Sequence, residues 1–238
     1  MDEIRKVLLS VPLFKSLQED TLENLIRSAS LNTHTKKKIL FIHEEKAERF
    51  FLIKSGWVKL FRETLEGDQA VIDILPQGHL FGEMSVFDGG VYPYSAEVVD
   101  KSEIISLPTN ILKSEMEKNH DFALAFLDVM AKYRNRQDNE IEHRVIQNAP
   151  QRIGCFLLRL EKEEKDGIVR IHLPYDKTLV AARLGMQPET FSRALSKLKK
   201  ETGIRVQGAY IEMDSIDPLA SYSCIACSSE FPCGDLGK

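Results

Sequence analysis

Three cysteines stand close together near the end of the sequence. In "YSCIACSSEFPCGDLGK" (residues 222–238), Cys224, Cys227 and Cys233 have the spacing C-x2-C-x5-C, and the fourth cysteine of the 238-residue chain is Cys155. Thiolates two residues apart can hold one metal centre, and a third thiolate nearby supplies most of the ligands of a cluster site. The spacing therefore indicates a metal-binding or redox-active segment.

The chemistry of these cysteines has four interpretations. An iron–sulfur cluster sensitive to oxygen or nitric oxide would need a fourth ligand or leave one position open, and His143 is the candidate ligand. Zinc would use the same ligands in a structural role, and two thiols could form a regulatory disulfide without any metal. The fourth interpretation is an ordered tail whose cysteines only pack. Cys155, in "RIGCFLLRL", is expected to be a small buried hydrophobic residue.

A second group of residues suits nucleic acid. The segment "KTLVAARLGMQPETFSRALSKLKK" (177–200) predicts two helices, with Gly185 at the turn and Pro188 at the first position of the second helix. Apolar residues in the second helix follow the spacing i, i+3, i+4, i+7, which predicts a buried face. These residues are Phe191, Ala194, Leu195 and Leu198.

The opposite face of the second helix carries side chains that can read base edges. Arginine suits guanine, glutamate suits the amino group of cytosine, and serine suits either. The residues on this face are Glu189, Ser192, Arg193 and Ser196. Lys197 would approach phosphates, and Thr178 in the first helix is a further predicted DNA contact. Residues 177–205 hold seven basic and two acidic residues in a chain of net charge −4, so the positive charge is concentrated here.

The remaining sequence predicts the elements that position these residues. Helical spacing in residues 2–31 is followed by short segments rich in Ile, Val and Phe, among them "KILFIHEE", "RFFLIKSG", "WVKLFRET" and "SEIISLP". Glycine, proline and charged residues separate these segments, which predicts a compact antiparallel β structure. After the two DNA-reading helices, "GIRVQGAYIEM" (203–213) predicts a β-hairpin that turns at Gln207-Gly208 and makes the domain winged.

A long helix is predicted between these two regions. No proline or glycine occurs between Asn119 and Asn148, and Pro150 is expected to end the helix. Its apolar residues follow steps of three and four, interrupted by the polar stretch "RNRQDNE" (134–140). This pattern favours pairing with a second helix in a dimer, whereas packing on its own domain is the other interpretation. These apolar residues are Phe122, Phe126, Val129, Tyr133, Ile141 and Val145.

Together, "FFLIKSGWVKLF", "LFGEMSVFDGG" and "QPETFSR" resemble the Crp/Fnr family of bacterial transcription regulators, over roughly residues 10–215. The phrase "LGMQPETFSRAL" is similar to the denitrification-regulator branch, whose members respond to nitric oxide, often through haem. The resemblance implies an α+β protein with four parts. These are a β-roll sensor domain (1–118), a dimerisation helix (119–149), a winged helix-turn-helix domain (150–215) and a cysteine-containing tail (216–238).

The same resemblance implies a function. It implies a homodimer that binds palindromic promoter DNA with half-sites like TTGAT, read by Glu189, Ser192 and Arg193, and that works with RNA polymerase. Some Fnr relatives place cluster-binding cysteines after the DNA-binding domain, as this chain does. If haem is the sensor instead, His79 is the histidine placed closest to the effector pocket.

Relatives that bind cyclic AMP hold its phosphate in a short cassette, Gly-Glu-(Leu), followed by Arg, Ser or Thr, and Ala. Gly82, Glu83, Met84 and Ser95 occupy their cassette positions here, but Tyr94 stands in place of the arginine. Arginine gives a phosphate two charge-assisted hydrogen bonds, whereas tyrosine gives one neutral donor. We therefore expect a vestigial pocket that does not bind cyclic AMP. Glu44 also departs from the family, many members of which have glycine there.

Other classes of protein are not expected. No apolar run approaches the roughly 20 residues that cross a bilayer, and "MDEIRKVLLSVPLF" does not resemble a signal peptide, which favours the cytoplasm. The sequence also lacks a nucleophile elbow, a phosphate-cradling loop followed by Lys and an H-E-x-x-H pair. An enzyme is therefore not predicted.

Overall fold

The computed structural model describes residues 1–87, 89–165, 167–174 and 176–225. Two of the predicted metal ligands, Cys227 and Cys233, lie outside these residues. The chain divides into two compact units, Met1–Lys132 and Tyr133–Lys238. Each unit is described separately below.

The helices are α1 (Asp2–Ser10), α2 (Glu19–Ser28), α3 (Thr109–Lys118), α4 (His120–Ile146), α5 (Ala149–Arg159), α6 (Lys177–Arg183), α7 (Pro188–Thr202) and α8 (Asp217–Cys224), with short 3-10 segments at Pro12–Ser16 and Glu83–Val86. The strands of the first unit are β1 (Ser30–His34), β2 (Ile39–Phe41), β3 (Arg49–Ser55), β4 (Val58–Glu63), β5 (Gln69–Leu75), β6 (Leu80–Phe81), β7 (Ser95–Val98) and β8 (Ser102–Pro108). The strands of the second unit are β9 (Lys162–Lys165), β10 (Ile168–His172), β11 (Arg205–Gln207) and β12 (Tyr210–Met213).

The first unit is built on two antiparallel sheets, with strand orders β1-β8-β3-β6 and β2-β7-β4-β5. Alternate side chains of β3 point to opposite sides of its sheet, as the pleat requires. Phe50 and Leu52 join the core formed with the helices, while Phe51 and Ile53 pack inside the roll. The predicted β-roll and the α+β fold class are confirmed.

The described residues of the second unit form the end of α4, the helices α5, α6, α7 and α8, and a sheet of order β11-β12-β10-β9. The predicted wing is present as β11 and β12, but its two-residue loop is Gly208-Ala209, between the paired residues Gln207 and Tyr210. Gly208 adopts a φ of 62°, a left-handed conformation that glycine accepts without steric cost. The winged helix-turn-helix is therefore confirmed, with its turn one residue later than predicted.

The segment from residue 216 differs from the predicted tail. Asp217–Cys224 forms α8, with Pro218 in its first turn, and Leu219 and Ala220 are buried in the core of the second unit. α8 packs on α5 so closely that a Cβ added at Gly154 would lie 1.9 Å from the Oγ atom of Ser223. Residues 217–224 are thus an integral part of the DNA-binding unit.

The long helix is present as α4, which has 27 residues. It ends at Ile146, before Pro150, because Asn148 caps a new helix, α5, whose first turn contains Pro150. The side chain of Asn148 accepts a hydrogen bond from the backbone of Gln151, and the Gln151 side chain accepts one from the backbone of Asn148. This reciprocal capping box gives α5 a start of its own.

The apolar residues of α4 divide into two groups. Phe122 and Phe126 are 1% exposed and belong to the core of the first unit, so for them packing on their own domain is the correct interpretation. The exposed apolar residues of the helix are Leu124, Leu127, Ile141, Val145 and Ile146.

Candidate functional site

The second helix of the helix-turn-helix, α7, has the predicted local structure. Pro188 lies in its first turn, and Gly203 ends it in a left-handed conformation with a φ of 72°. The predicted buried face is confirmed, since all four of its apolar residues are at most 9% exposed. The preceding helix, α6, is capped at its N-terminus by Asp176, whose side chain accepts a hydrogen bond of 2.9 Å from the backbone N–H of Leu179.

The residues predicted to contact DNA are exposed. They are Thr178 on α6 and Glu189, Ser192, Arg193, Ser196 and Lys197 on α7. Pro188, Glu189, Ser192 and Arg193 line a shallow hollow on the surface of this unit. The hydroxyl of Ser196 donates to the backbone carbonyl of Ser192 at 2.9 Å, which leaves its oxygen able to accept. The face therefore presents both donors and acceptors, as base recognition requires.

Not all of the predicted basic residues contribute to this surface. Arg183 is 9% exposed and forms a two-pronged ion pair with Glu140, in which Nη1 lies 2.9 Å from Oε2 and Nη2 contacts Oε1. Arg205 pairs with Asp214 at 2.9 Å. The sequence count could not distinguish these paired arginines from free ones, because both carboxylates lie outside the 177–205 window. The basic residues on the outer surface are Lys177, Arg193, Lys197, Lys199 and Lys200.

In the first unit, a hydrogen bond between uncharged groups joins two of the predicted cassette residues, Gly82 and Tyr94. Gly82 adopts a φ of 80°, and its backbone N–H donates a hydrogen bond of 3.0 Å to the hydroxyl oxygen of Tyr94. Ser95 is buried, and its Oγ atom accepts a hydrogen bond of 3.0 Å from the backbone N–H of His43. The side chains of Tyr94 and Ser95 are therefore both hydrogen-bonded to the protein's own backbone.

Glu83 is buried beside this turn, whereas Met84 is exposed. Burial raises the pKa of the Glu83 carboxyl to about 7. Its Oε2 atom has no hydrogen-bond partner among the described residues. Burial shifts this carboxyl toward its neutral form, and the hydrogen bond from its own backbone N–H acts in the opposite direction with a smaller effect.

Aromatic rings fill the interior of the roll next to the cassette. The rings of Phe41 and Tyr92 stack with their centroids 3.7 Å apart, and Phe51, Phe81 and Tyr94 surround them. A Cβ added at Gly82 would lie 3.1 Å from the Tyr92 ring. Glu44, at the position where many relatives have glycine, adopts a left-handed φ of 67°. The turn thus keeps the backbone that glycine favours while carrying a side chain.

The predicted metal ligands are only partly within the described residues. Cys224 is the last residue of α8 and is half-buried. His143 is buried, and its Nδ1 atom accepts a hydrogen bond of 2.9 Å from Arg159, so that atom is not free to bind a metal. His79 is half-buried, with Nδ1 3.4 Å from the carbonyl oxygen of Gln77. Within the described part of the chain, no three His, Cys, Asp or Glu side chains are grouped for a metal.

Comparison with known proteins supports both units. The family model of the cyclic nucleotide-binding domain matches residues 32–119, and that of the Crp-like helix-turn-helix domain matches residues 151–222. The chain is 24% identical over 223 residues to the CRP-like cAMP-activated global transcriptional regulator of Mycobacterium tuberculosis, covering 92% of this chain and 98% of that protein. It is 25% identical over 210 residues to the fumarate and nitrate reduction regulatory protein of Escherichia coli, covering 84% and 80%.

Two solved structures are similar to this chain over most of its length. A protein of Ruegeria pomeroyi assigned to cyclic nucleotide binding is 33% identical, with a TM-score of 0.65 and coverage of 93% of this chain and 97% of that one. The regulator DNR of Pseudomonas aeruginosa is 30% identical, with a TM-score of 0.51 and coverage of 90% and 95%.

A β-roll joined to a winged helix-turn-helix with an exposed reading face defines a DNA-binding transcription regulator, and the relatives are regulators rather than enzymes. The chain belongs to the Crp/Fnr family. In the described residues, none of the helices has the length and apolar character needed to span a membrane.

Proposed function

We propose that this regulator binds an Fnr-like palindromic promoter site as a homodimer and responds to a redox or gas signal instead of cyclic AMP. The observation that carries the proposal is the hydrogen bond between Tyr94 and Gly82. Tyr94 stands where the cassette has an arginine, and its neutral hydroxyl is hydrogen-bonded to the protein's own backbone. A cyclic phosphate would have no bidentate cationic partner at this position.

The exposed face of α7 supports the choice of DNA site. Glu189, Ser192 and Arg193 are exposed on the first two turns of the helix, where the recognition helix of such domains contacts base edges. Lys197, Lys199 and Lys200 follow on the same helix with charges that suit the phosphate backbone. In a two-fold dimer, the two helices would contact half-sites one helical turn apart. RNA polymerase is the proposed protein partner at the promoter.

The exposed side chains of α4 support the homodimer. Leu124 and Leu127 are 51% and 62% exposed, and Ile141 and Val145 are 60% and 78% exposed. Along the sequence, each of these pairs fits a heptad repeat with alternating steps of three and four residues, the spacing of a two-helix seam. A second copy of the chain would cover these residues.

The position of Cys224 supports a signal that enters through the C-terminal cysteines. Cys224 ends α8, and α8 packs directly on α5 within the core of the DNA-binding unit. A change at this thiol would therefore act on the helices that carry the reading face. Cys224, Cys227 and Cys233 would hold an iron–sulfur cluster as thiolate ligands, and the bound cluster would supply one-electron and gas-sensitive chemistry. Zinc in this segment, or haem in the roll, would be the competing cofactor.

The proposal is tested on full-length protein purified without oxygen. Iron, zinc, sulfide and haem are quantified, and binding to a duplex with the Fnr-like palindrome is measured before and after exposure to air or nitric oxide. We expect sulfide and iron that are lost in the Cys224→Ser variant and retained in Cys155→Ala, together with DNA binding that changes on exposure. Cyclic AMP should leave thermal unfolding unchanged, since a ligand at 100 times its dissociation constant would add about 2.7 kcal/mol of stability. A saturable stabilisation by cyclic AMP would contradict the proposal.

A further inference from the structure

A cavity of about 50 Å³ lies within the second unit, between the end of α4, α5 and the end of α6. The described residues that line it include four arginines, Arg144, Arg152, Arg159 and Arg183, together with Gln147 and one carboxylate, Glu140. We call this the arginine cavity. A cavity needs about 10–15 Å³ to hold one water molecule, so this one has room for a small polyatomic ion.

Among the described residues that line the arginine cavity, four arginines face one carboxylate. Glu140 already forms its two-pronged pair with Arg183, and Arg159 and Arg136 approach the same carboxylate at 3.8 and 4.0 Å. These pairs lower the pKa of Glu140 against the effect of its burial. The Glu140 carboxylate is therefore already paired with other arginines, and in the residues that the structure describes it forms no ion pair with Arg144 or Arg152.

Two of the lining arginines have buried nitrogen atoms without acceptors. The Nε atoms of Arg152 and Arg159 have no hydrogen-bond partner within the described residues, although an Nη atom of Arg159 donates to His143. Burial, and secondarily the charge of Arg144, lowers the pKa of Arg152. Leaving a buried donor of a charged group unpaired destabilises the folded protein, because the donor has lost its water without gaining an acceptor. An anion placed among these guanidinium groups would remove this destabilisation.

The amide of Gln147 adds a further unsatisfied polar group. Gln147 is 6% exposed, and its Oε1 atom has no donor within the described part of the chain. An anion that retains a proton, as hydrogen phosphate does, can donate to this oxygen and still accept from the arginines. If the amide is reversed, its NH2 group becomes one more donor to the anion.

From these contacts we propose that the arginine cavity binds a small oxyanion of the phosphate class. The bound anion would bridge Arg144, two residues before the end of α4, and Arg152, in the first turn of α5. It would thereby stiffen the junction at which the DNA-binding helices follow the long helix. His143, the candidate fourth ligand of the proposed cluster, also lines the cavity. The proposed anion contacts are to Arg144 and Arg152, neither of which belongs to the cysteine segment.

The experiment uses full-length protein in chloride buffer at constant ionic strength, into which inorganic phosphate is titrated. Heat of binding and the thermal unfolding midpoint are both recorded, and sulfate is titrated in parallel. We expect a saturable rise of the midpoint with phosphate and at least a tenfold loss of affinity in Arg144→Gln and in Arg152→Gln. Arg27→Gln removes one exposed positive charge from α2, in the first unit, and should bind phosphate as the unaltered protein does.

A second measurement separates a ligand-binding arginine from a structural one. Without phosphate, Arg152→Gln should unfold at the same or a higher temperature than the unaltered protein, since it removes a half-buried charge whose Nε atom has no acceptor among the described residues. A lower midpoint would show that Arg152 stabilises the fold without an anion and would overturn the proposal.

Two further results would also overturn it. The first is a phosphate effect that does not saturate or that is equal in all three variants, as expected of a general salt effect. The second is the absence of a phosphate effect together with weakened binding of Arg144→Gln and Arg152→Gln to duplex DNA of unrelated sequence. That result would assign these arginines to the DNA backbone.

Discussion

The hydroxyl oxygen of Tyr94 accepts a hydrogen bond from the backbone N–H of Gly82, 12 positions earlier in the chain and 3.0 Å away. The two residues lie at the positions that the sequence predicts for the two halves of a cyclic-phosphate cassette. Here the phenol of Tyr94 is bonded to the other half of the predicted cassette, and stacked aromatic rings fill the adjacent interior of the β-roll. The contact thus has a structural role that can be measured apart from any ligand.

Tyr94→Phe removes this acceptor and leaves the Gly82 N–H without its partner. We expect a loss of about 1 kcal/mol in the free energy of unfolding, the usual net value of such a hydrogen bond. Urea unfolding measures the loss. Tyr210→Phe, on the exposed wing strand, is the matched control and should change stability by less than half as much. Equal effects of the two substitutions would show that the Tyr94 contact adds no stability.

Glu83 should make stability depend on pH. Its pKa is raised to about 7 in the folded protein, so the folded state binds the proton more tightly than the unfolded state does. Its contribution is therefore complete at acid pH and declines as pH rises from the unfolded value of about 4.5 to about 7. Glu83→Gln lacks this decline, so its stability relative to the unaltered protein should increase by as much as a few kcal/mol over that range. The measurement is urea unfolding of both proteins from pH 5 to pH 8, and a constant difference would contradict the buried neutral form.

Arg193 and Lys200 should affect DNA binding in different ways. Arg193→Ala removes a predicted base contact and should cost about 1–3 kcal/mol of specific binding, with relaxed selectivity at one base position. Lys200→Ala removes a predicted phosphate contact and should weaken binding to all sequences alike, with a shallower dependence on salt. Fluorescence anisotropy with the palindrome and its single-base variants distinguishes the two. An Arg193→Ala protein of unchanged selectivity would remove this residue from the reading face.

Leu127 should be required for dimerisation. It is 62% exposed on α4, so Leu127→Glu should leave the fold of each chain intact while placing a charge in the proposed seam. We expect a monomer in sedimentation velocity at micromolar concentration. Leu65→Glu alters a fully exposed leucine in the turn between β4 and β5 and should remain dimeric. If Leu127→Glu sediments as the unaltered protein does, another surface holds the dimer.

Gly154 and Ser223 should be energetically coupled. Alanine is favoured over glycine in a helix by about 1 kcal/mol. However, the added Cβ of Gly154→Ala would lie 1.9 Å from the Ser223 Oγ atom, so we expect a net loss of about 1–3 kcal/mol. Ser223→Ala removes a buried hydroxyl that has no partner among the described residues, so alone it should be neutral or stabilising.

The double variant Gly154→Ala/Ser223→Ala should recover most of the lost stability, because only contacts of 3.1 and 3.3 Å would remain around the new methyl group. Thermal unfolding of the two single variants and the double variant gives the coupling. Strictly additive effects would show that the helices separate to accept the methyl group.

The sequence was sufficient where local spacing decides the structure. Phe191 and Leu198 are buried and Pro188 begins α7, because an amphipathic helix with these end signals has one stable arrangement on a core. The sequence was insufficient where the structure depends on what an apolar helix face packs against. Phe122 and Phe126 have the same periodicity whether they face their own domain or a second chain, and only the folded structure separates them from Leu124 and Leu127.

Other elements had weak or overlooked signals. α8 has eight residues and few large apolar side chains, so its pattern resembles a loop, although Pro218 after Asp217 is a recognisable helix start. The hairpin of β9 and β10 was indicated by the Asp-Gly pair in "KEEKDGIVRIH", a common hairpin turn. The pair of Glu140 with Arg183 spans 43 positions and has no sequence signal, since nothing in the local pattern relates the two residues.

The packing of α8 on α5 also has a consequence for how the second unit folds. The side-chain amide of Gln151 donates to the backbone carbonyl of Tyr222 at 3.5 Å, across 71 positions of sequence. Contacts of such separation form only after the loop entropy between them has been lost, so they are late and slow compared with the local hairpin at Gly208. Until α8 docks, Ile153 and Leu157 of α5 lack part of their apolar covering. We therefore expect the local contacts of the helix-turn-helix to form before α8 docks on α5.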